Sequence, residues 1–109
     1  MSFDMNKLMQ QAAQMQEQVA RMQEDAVKET AESSVGGGMV KVTANGAGQV
    51  LSITISPEAI DPSDPDALAD LVLAGVNEAL RSASAAVEAK AQQVQSELLG
   101  GLGLPGLGE

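Results

Sequence analysis

Apolar and polar residues alternate with a period of two on both sides of an Asn-Gly break near the middle of the chain. Val40, Val42 and Ala44 alternate with Lys41, Thr43 and Asn45; beyond the break, Leu51, Ile53 and Ile55 alternate with Ser52 and Thr54. Successive side chains of a strand point to opposite faces, so the pattern predicts a β-hairpin over residues 39–55 with one buried face. Asn45, Gly46 and Gly48 suit the positive φ angles that a tight turn requires. Ahead of the hairpin, the polar segment KETAESS (residues 28–34) runs into Val35-Gly36-Gly37-Gly38. It predicts a weaker strand that pairs back on residues 39–45, making a three-stranded antiparallel meander.

The period changes on both flanks. Met5, Leu8, Ala12, Met15, Val19, Met22 and Ala26 recur at spacings of three and four. That spacing predicts a helix from Asp4, as N-cap, to about Lys28, with a heptad seam along one side. Gln11, Gln16, Gln18 and Gln23 flank the seam, so little charge is present to select a coiled-coil partner. The seam fits an amphipathic helix packed on its own sheet, or a helix–helix contact within or between chains; its methionines make it adaptable. After the hairpin, Ser56-Pro57-Glu58 ends the last strand and starts a single helical turn to Ile60. Asp64-Pro65-Asp66 then supplies an N-cap, a proline at the first helical position and an acid in the first turn. The helix it opens is predicted to run from Pro65 to about Leu99 and to end at Gly100-Gly101. Leu68, Leu71, Val72, Val76 and Leu80 form a broad apolar face suited to covering the sheet; beyond them it narrows to Val87, Ala91, Val94 and Leu98.

Lengths constrain how these pieces fit. At 1.5 Å per residue the second helix is about 50 Å long and the first about 35 Å, against about 23 Å for a seven-residue strand. Both helices must overhang the sheet. The predicted fold is therefore α+β: a long N-terminal helix, a three-stranded antiparallel meander and a long C-terminal helix, with helical arms projecting from a sheet body. Residues 1–99 are expected to form one domain, and residues 100–109 a flexible, glycine-rich tail. The apolar stripes on the overhangs need a partner, and a homodimer is expected.

Composition narrows the chemistry. The chain has 109 residues, no cysteine, no histidine and Phe3 as its one aromatic residue. Disulfides, thiolate or imidazole metal sites and the usual general base are excluded together. The polar N-terminus predicts neither signal peptide nor membrane span, and a cytoplasmic protein is expected. Gly36–Gly38 is followed by no Lys-Ser/Thr pair and no helix, so it reads as a turn and not a phosphate loop. Asp61, Asp64 and Asp66 could be drawn together as a carboxylate or Mg²⁺ site, but capping explains them. No enzyme, cofactor, metal or small-molecule substrate is expected. The net charge of −9 opposes nucleic-acid binding, since phosphate neutralisation supplies most non-specific affinity. The six basic residues are nonetheless segregated: Lys7, Arg21, Lys28, Arg81 and Lys90 lie on or at the ends of the long helices, with Lys41 alone in the sheet. They read either as solvated surface charge or as a sparse phosphate-contacting set on the arms.

Several stretches together resemble the YbaB/EbfC family of bacterial nucleoid-associated proteins. These are MVKVTANGAGQVLSITISPEAI (39–60), DLVLAGVNEALRSASAAVEAK (70–90), GGLGLPGLG (100–108) and the Gln/Met-rich NKLMQQAAQMQEQVARMQ (6–23). The order V-K-V-T-x-N-G, S-P-E, D-L-V-x-x-x-V-N-E-A is the most specific part. The resemblance implies a tweezer-like homodimer that binds double-stranded DNA in the nucleoid with low sequence preference and alters its conformation. It assigns DNA contact to Lys7, Arg21, Lys28, Arg81 and Lys90. The chain departs from the family pattern at Gln49-Val50-Leu51, where relatives often carry an arginine pair, and after Ala79, where one basic residue (Arg81) replaces two. The competing reading is a protein-interaction scaffold or accessory factor that uses the Met-rich heptad surface and has little DNA affinity.

Overall fold

A computed structural model describes residues 4–101 of the chain. The elements are α1 (Met5–Lys28), β1 (Thr30–Val35), β2 (Val40–Asn45), β3 (Val50–Ile55), a 3-10 turn at Pro57–Ala59 and α2 (Pro65–Gly101). The three strands form one antiparallel sheet in the order β1-β2-β3, the meander expected from the sequence. At the C-terminal end, Gly100 and Gly101 belong to α2 instead of following it; the rest of the expected tail lies outside the described residues.

Local chemistry accounts for the helix starts. The Asp4 carboxylate accepts the Lys7 backbone N–H at 3.2 Å, and that of Asp64 accepts the Ala67 N–H at 3.3 Å. Each satisfies one of the N–H groups that the first helical turn leaves without a partner. The β1–β2 turn needs its glycines, because Gly36, Gly37 and Gly38 have φ of 62°, 68° and 93°. An L-residue in that region costs about 1–2 kcal/mol. The β2–β3 turn is built differently from the expectation. Of Asn45, Gly46 and Gly48, only Gly48 takes a positive φ, 86°. Asn45 acts through its side chain, which is buried: Oδ1 accepts the N–H groups of Ala47 and Gln49, both at 3.0 Å, and Nδ2 donates to Gln49 Oε1 at 2.8 Å.

The core lies between α2 and the first two strands. Val40, Val42 and Ala44 of β2 are fully buried with Ala79 of α2, and Val35, Leu68, Leu71, Val72, Val76 and Leu80 close around them. The innermost helix positions are Gly75, Ala79 and Ala83, one turn apart and all buried. Small residues there let the helix axis approach the strands. A Cβ on Gly75 would lie 3.0 Å from Val42 Cγ2, and the buried Ser33 hydroxyl donates to Gly75 O at 2.6 Å.

Two parts of the expected packing are corrected. First, the apolar face of the hairpin is only half covered. Register places Ile53 opposite Val42 and Ile55 opposite Val40, so all four share one face. Yet α2 lies over β1 and β2, leaving Ile53 44% and Leu51 52% exposed on the edge strand. A bulge at Thr43/Ala44 skips Leu51 in the pairing. Second, α1 covers no part of the sheet, and none of its residues is buried. Its C-terminal end is fastened to the β2–β3 turn, where the Gly46 N–H is shared between Ala26 O at 2.9 Å and Glu29 O at 2.8 Å. From that root the helix projects. The radius of gyration is 21.1 Å, against ~13 Å for a compact chain of this length. The opposite sheet face, with Glu32, Ser34, Lys41, Ser52 and Thr54, is polar and open.

Candidate nucleic-acid interface

All five cations assigned to the arms are exposed. Lys7, Arg21 and Lys28 occupy equivalent heptad positions of α1, at separations of 14 and 7 residues. At 1.5 Å per residue they form a row about 32 Å long on the side of α1 turned away from the Met-rich seam. Lys7 stands in the first turn and Lys28 in the last. The heptad spacing of Arg21 and Lys28 is visible in the sequence; that Lys7 extends the same row is equally visible once the seam is numbered.

The row is not uniformly free. Arg21 donates to Glu17 at 2.9 Å, one turn away, with both side chains well exposed. An exposed pair of this kind is worth ~0–1 kcal/mol, so a phosphate can displace the carboxylate. Lys90 of α2 reaches Glu29 at 3.5 Å, which brings it to the root of α1. Only tertiary structure makes that neighbourhood. Arg81 stands apart, nine residues before Lys90, on the other side of α2 and about 14 Å back along the axis. The five cations therefore divide into a row of three on α1, Lys90 held by Glu29 at the arm root, and Arg81 alone on α2.

The acidic stretch after the hairpin has local partners. Asp61 accepts from the Ser63 hydroxyl at 2.6 Å and from the Ser63 N–H at 2.9 Å; these bonds hold its carboxyl below its usual range. Asp64 caps α2. Among the described residues no group of three or more His, Cys, Asp or Glu side chains is placed to hold a metal ion. No helix among them is long and apolar enough to cross a membrane.

The surface that remains is a charged row on one side of a projecting helix, with an uncovered apolar seam on the other. Comparison with known proteins bears directly on that arrangement. Residues 1–98 match the model of the YbaB/EbfC DNA-binding family. A nucleoid-associated protein of Thermoanaerobacter sp. (strain X514) is 45% identical over 105 residues, covering 96% of this chain and 91% of the relative. One from Pelotomaculum thermopropionicum is 45% identical over 107 residues, covering 98% of both chains. One from Moorella thermoacetica is 47% identical over 103 residues, covering 94% of this chain and 95% of the relative. In fold, the crystal structure of an uncharacterized protein from Helicobacter pylori superposes with a TM-score of 0.65 at 22% identity, covering 90% of this chain and 99% of that one. Long arms, a half-covered meander and nearly full-length matches to nucleoid-associated proteins lead to one assignment: the chain belongs to the YbaB/EbfC DNA-binding family.

Proposed function

We propose that this protein is a homodimer of the nucleoid that binds duplex DNA with low sequence preference and alters its path, through cations on its helical arms. The observation that carries the reading is the row Lys7–Arg21–Lys28 on a helix that leaves the sheet. Its length is close to one turn of B-DNA, about 34 Å, and among the described residues no sheet or loop closes over it. Lysine and arginine contacts to phosphate carry no sequence information, which fits low sequence preference. The overall charge of −9 opposes binding, so the affinity rests on the local row and is sensitive to salt.

Dimerisation is supported by area. The chain exposes 8297 Å², whereas a compact monomer of this mass exposes about 5,700 Å². Much of the excess is apolar: Val50, Leu51 and Ile53 on β3, and Met5, Met15, Val19 and Met22 on α1. Most helical stability in proteins comes from packing an amphipathic face, and α1 buries none of its residues within its own chain, so a partner would stabilise it. A second copy supplies that partner and doubles the cations facing one duplex.

The residue assignment is tested by replacing Arg21 and Arg81 with alanine together. The double variant keeps its dimer mass and loses DNA affinity. Each arginine that leaves a phosphate also lowers the salt slope of binding by about 1. Unchanged binding by the double variant contradicts contact through the arms. The exposed Met seam favours a second reading, an accessory factor that binds a partner protein. A well-folded dimer that fails to retard random duplex DNA at low salt would decide for it.

A further inference from the structure

The β2–β3 turn carries chemistry that phosphate contact does not use. Of the three asparagines in the chain, Asn6, Asn45 and Asn77, Asn45 alone precedes a glycine. That order lets the main-chain nitrogen of the second residue attack the side-chain amide of the first, since no Cβ obstructs the approach. Gly46 lacks that Cβ for a packing reason, because Val87 fills the space where it would stand. We propose that Asn45-Gly46 is a site of covalent modification, asparagine deamidation, that the root of α1 holds closed. The electrophile is already prepared. Asn45 Oδ1 accepts the N–H groups of Ala47 and Gln49, both at 3.0 Å, which draws charge from Cγ as an oxyanion hole does. The nucleophile is withheld. Gly46 N–H donates to Ala26 O at 2.9 Å and to Glu29 O at 2.8 Å, so losing its proton would set a negative nitrogen against two carbonyl oxygens.

Release of the end of α1 removes both carbonyls from the Gly46 nitrogen together. Hydroxide then takes the Gly46 proton, the nitrogen bonds to Asn45 Cγ, and the Cγ–Nδ2 bond breaks. Nδ2 takes up a proton and leaves as ammonia. Water opens the resulting cyclic imide at either carbonyl, giving aspartate or isoaspartate at position 45. No oxidant, metal or second substrate enters. Neither product restores the turn. In aspartate, an oxygen replaces the Nδ2 that donates to Gln49 Oε1 at 2.8 Å, which sets two acceptors face to face at a buried side chain. In isoaspartate the main chain runs through Cβ and Cγ, and the added length shifts the Gly46 N–H away from the carbonyls it anchors. That anchor matters because α1 buries none of its residues in its own chain. Modification thus converts a reversible opening of the α1 root into a lasting one.

Mass spectrometry of the peptide that contains Asn45 reads the conversion, in the full chain held at mildly alkaline pH. The folded chain should convert at least about tenfold more slowly than the same chain unfolded in urea, because local opening must precede attack. Ala26→Pro breaks the last turn of α1 without touching the Asn-Gly pair. It should raise the rate in the folded chain by about threefold or more. Equal rates in the folded and unfolded chains overturn the inference, and so does an Ala26→Pro chain that converts as slowly as the unsubstituted one. Amide hydrogen exchange supplies a readout free of substitution. The Gly46 amide should exchange slowly in the unmodified chain, and exchange at the unstructured rate contradicts a closed root. In the modified chain, separated by its added negative charge, the last turn of α1 should exchange faster than before; unchanged exchange there contradicts lasting release. None of these measurements involves DNA, so the DNA-binding proposal is tested independently of them.

Discussion

Gly46 shows how much can rest on the absence of one carbon. Its N–H bridges two carbonyls at the end of α1, and a Cβ there would overlap the Val87 side chain and lie 3.0 Å from Ala26 O. Three elements meet at a point with no room for a methyl group. Gly46→Ala is expected to lower stability by about 1–3 kcal/mol, read as a lower urea midpoint with an unchanged slope. An unchanged midpoint would show that the α1 root is looser than described. The Asn-Gly pair marks this turn in the sequence, but for a different reason from the one found: Asn45 supplies side-chain hydrogen bonds, Gly46 supplies space, and Gly48 alone supplies the positive φ. Sequence spacing cannot reveal that Val87, some forty residues away, will fill the space beside Gly46.

Arg21 and Glu17 raise a second question at this scale. Their ion pair is local, one helical turn apart, and legible from the sequence. If Arg21 contacts phosphate, Glu17 competes for it. Glu17→Gln should then raise affinity for duplex DNA about two- to fivefold at low salt, the equivalent of an exposed ion pair. Fluorescence anisotropy measures this, and the gain should fade as salt rises. An affinity that falls or stays constant would remove Arg21 from the contact set.

At the scale of elements, the boundaries were legible because punctuation is local. Asp4 and Asp64 cap their helices, the glycine run turns β1 into β2, and the 3-10 turn starts at Pro57, after Ser56. Which elements cover which was less legible. The alternation in residues 50–55 predicts a buried face, but Ile53 is buried only if something lies over the edge strand, and α2 is already committed to β1 and β2 by the Gly75–Ala79–Ala83 stripe. Small residues four apart in α2 carried that information, and a search for large apolar residues passes over them. The seam of α1 likewise fitted two arrangements, and the attachment at Gly46 rules out the one in which it packs on the sheet.

The uncovered strip on β3 has a testable consequence. Ile53 contributes little to the monomer's own core, so Ile53→Asp should leave the fold intact while disrupting a dimer that buries this face. Light scattering should then report half the wild-type mass, with the helical circular dichroism of the α2–sheet unit retained. A variant that stays dimeric would move the interface off β3, to the exposed apolar residues of the helices, such as the α1 seam.

At the scale of the whole molecule, two features oppose each other. The chain is strongly acidic, yet five of its six cations are placed on the arms, and two acids after the hairpin, Asp61 and Asp64, are engaged in turn and capping hydrogen bonds. Long-range repulsion acts through solvent and is screened within about 10 Å at 0.1 M salt, whereas cations in direct phosphate contact release counterions. Local placement can therefore outweigh net charge at short range, at the expense of salt tolerance. The row on α1 was legible as a heptad repeat; the approach of Lys90 to Glu29 was not, because it depends on where α2 passes the end of α1.

The central claim is that a dimer of this chain holds duplex DNA by phosphate contacts from its arms. The most direct measurement is the affinity for a random-sequence duplex across a salt series, by fluorescence anisotropy, with the dimer mass confirmed in the same buffer. With four to six phosphate contacts at about 0.9 counterion per contact, log K should fall against log salt with a slope of about −4 to −5. A confirmed dimer that does not bind at low salt, or whose affinity is independent of salt, would contradict the account.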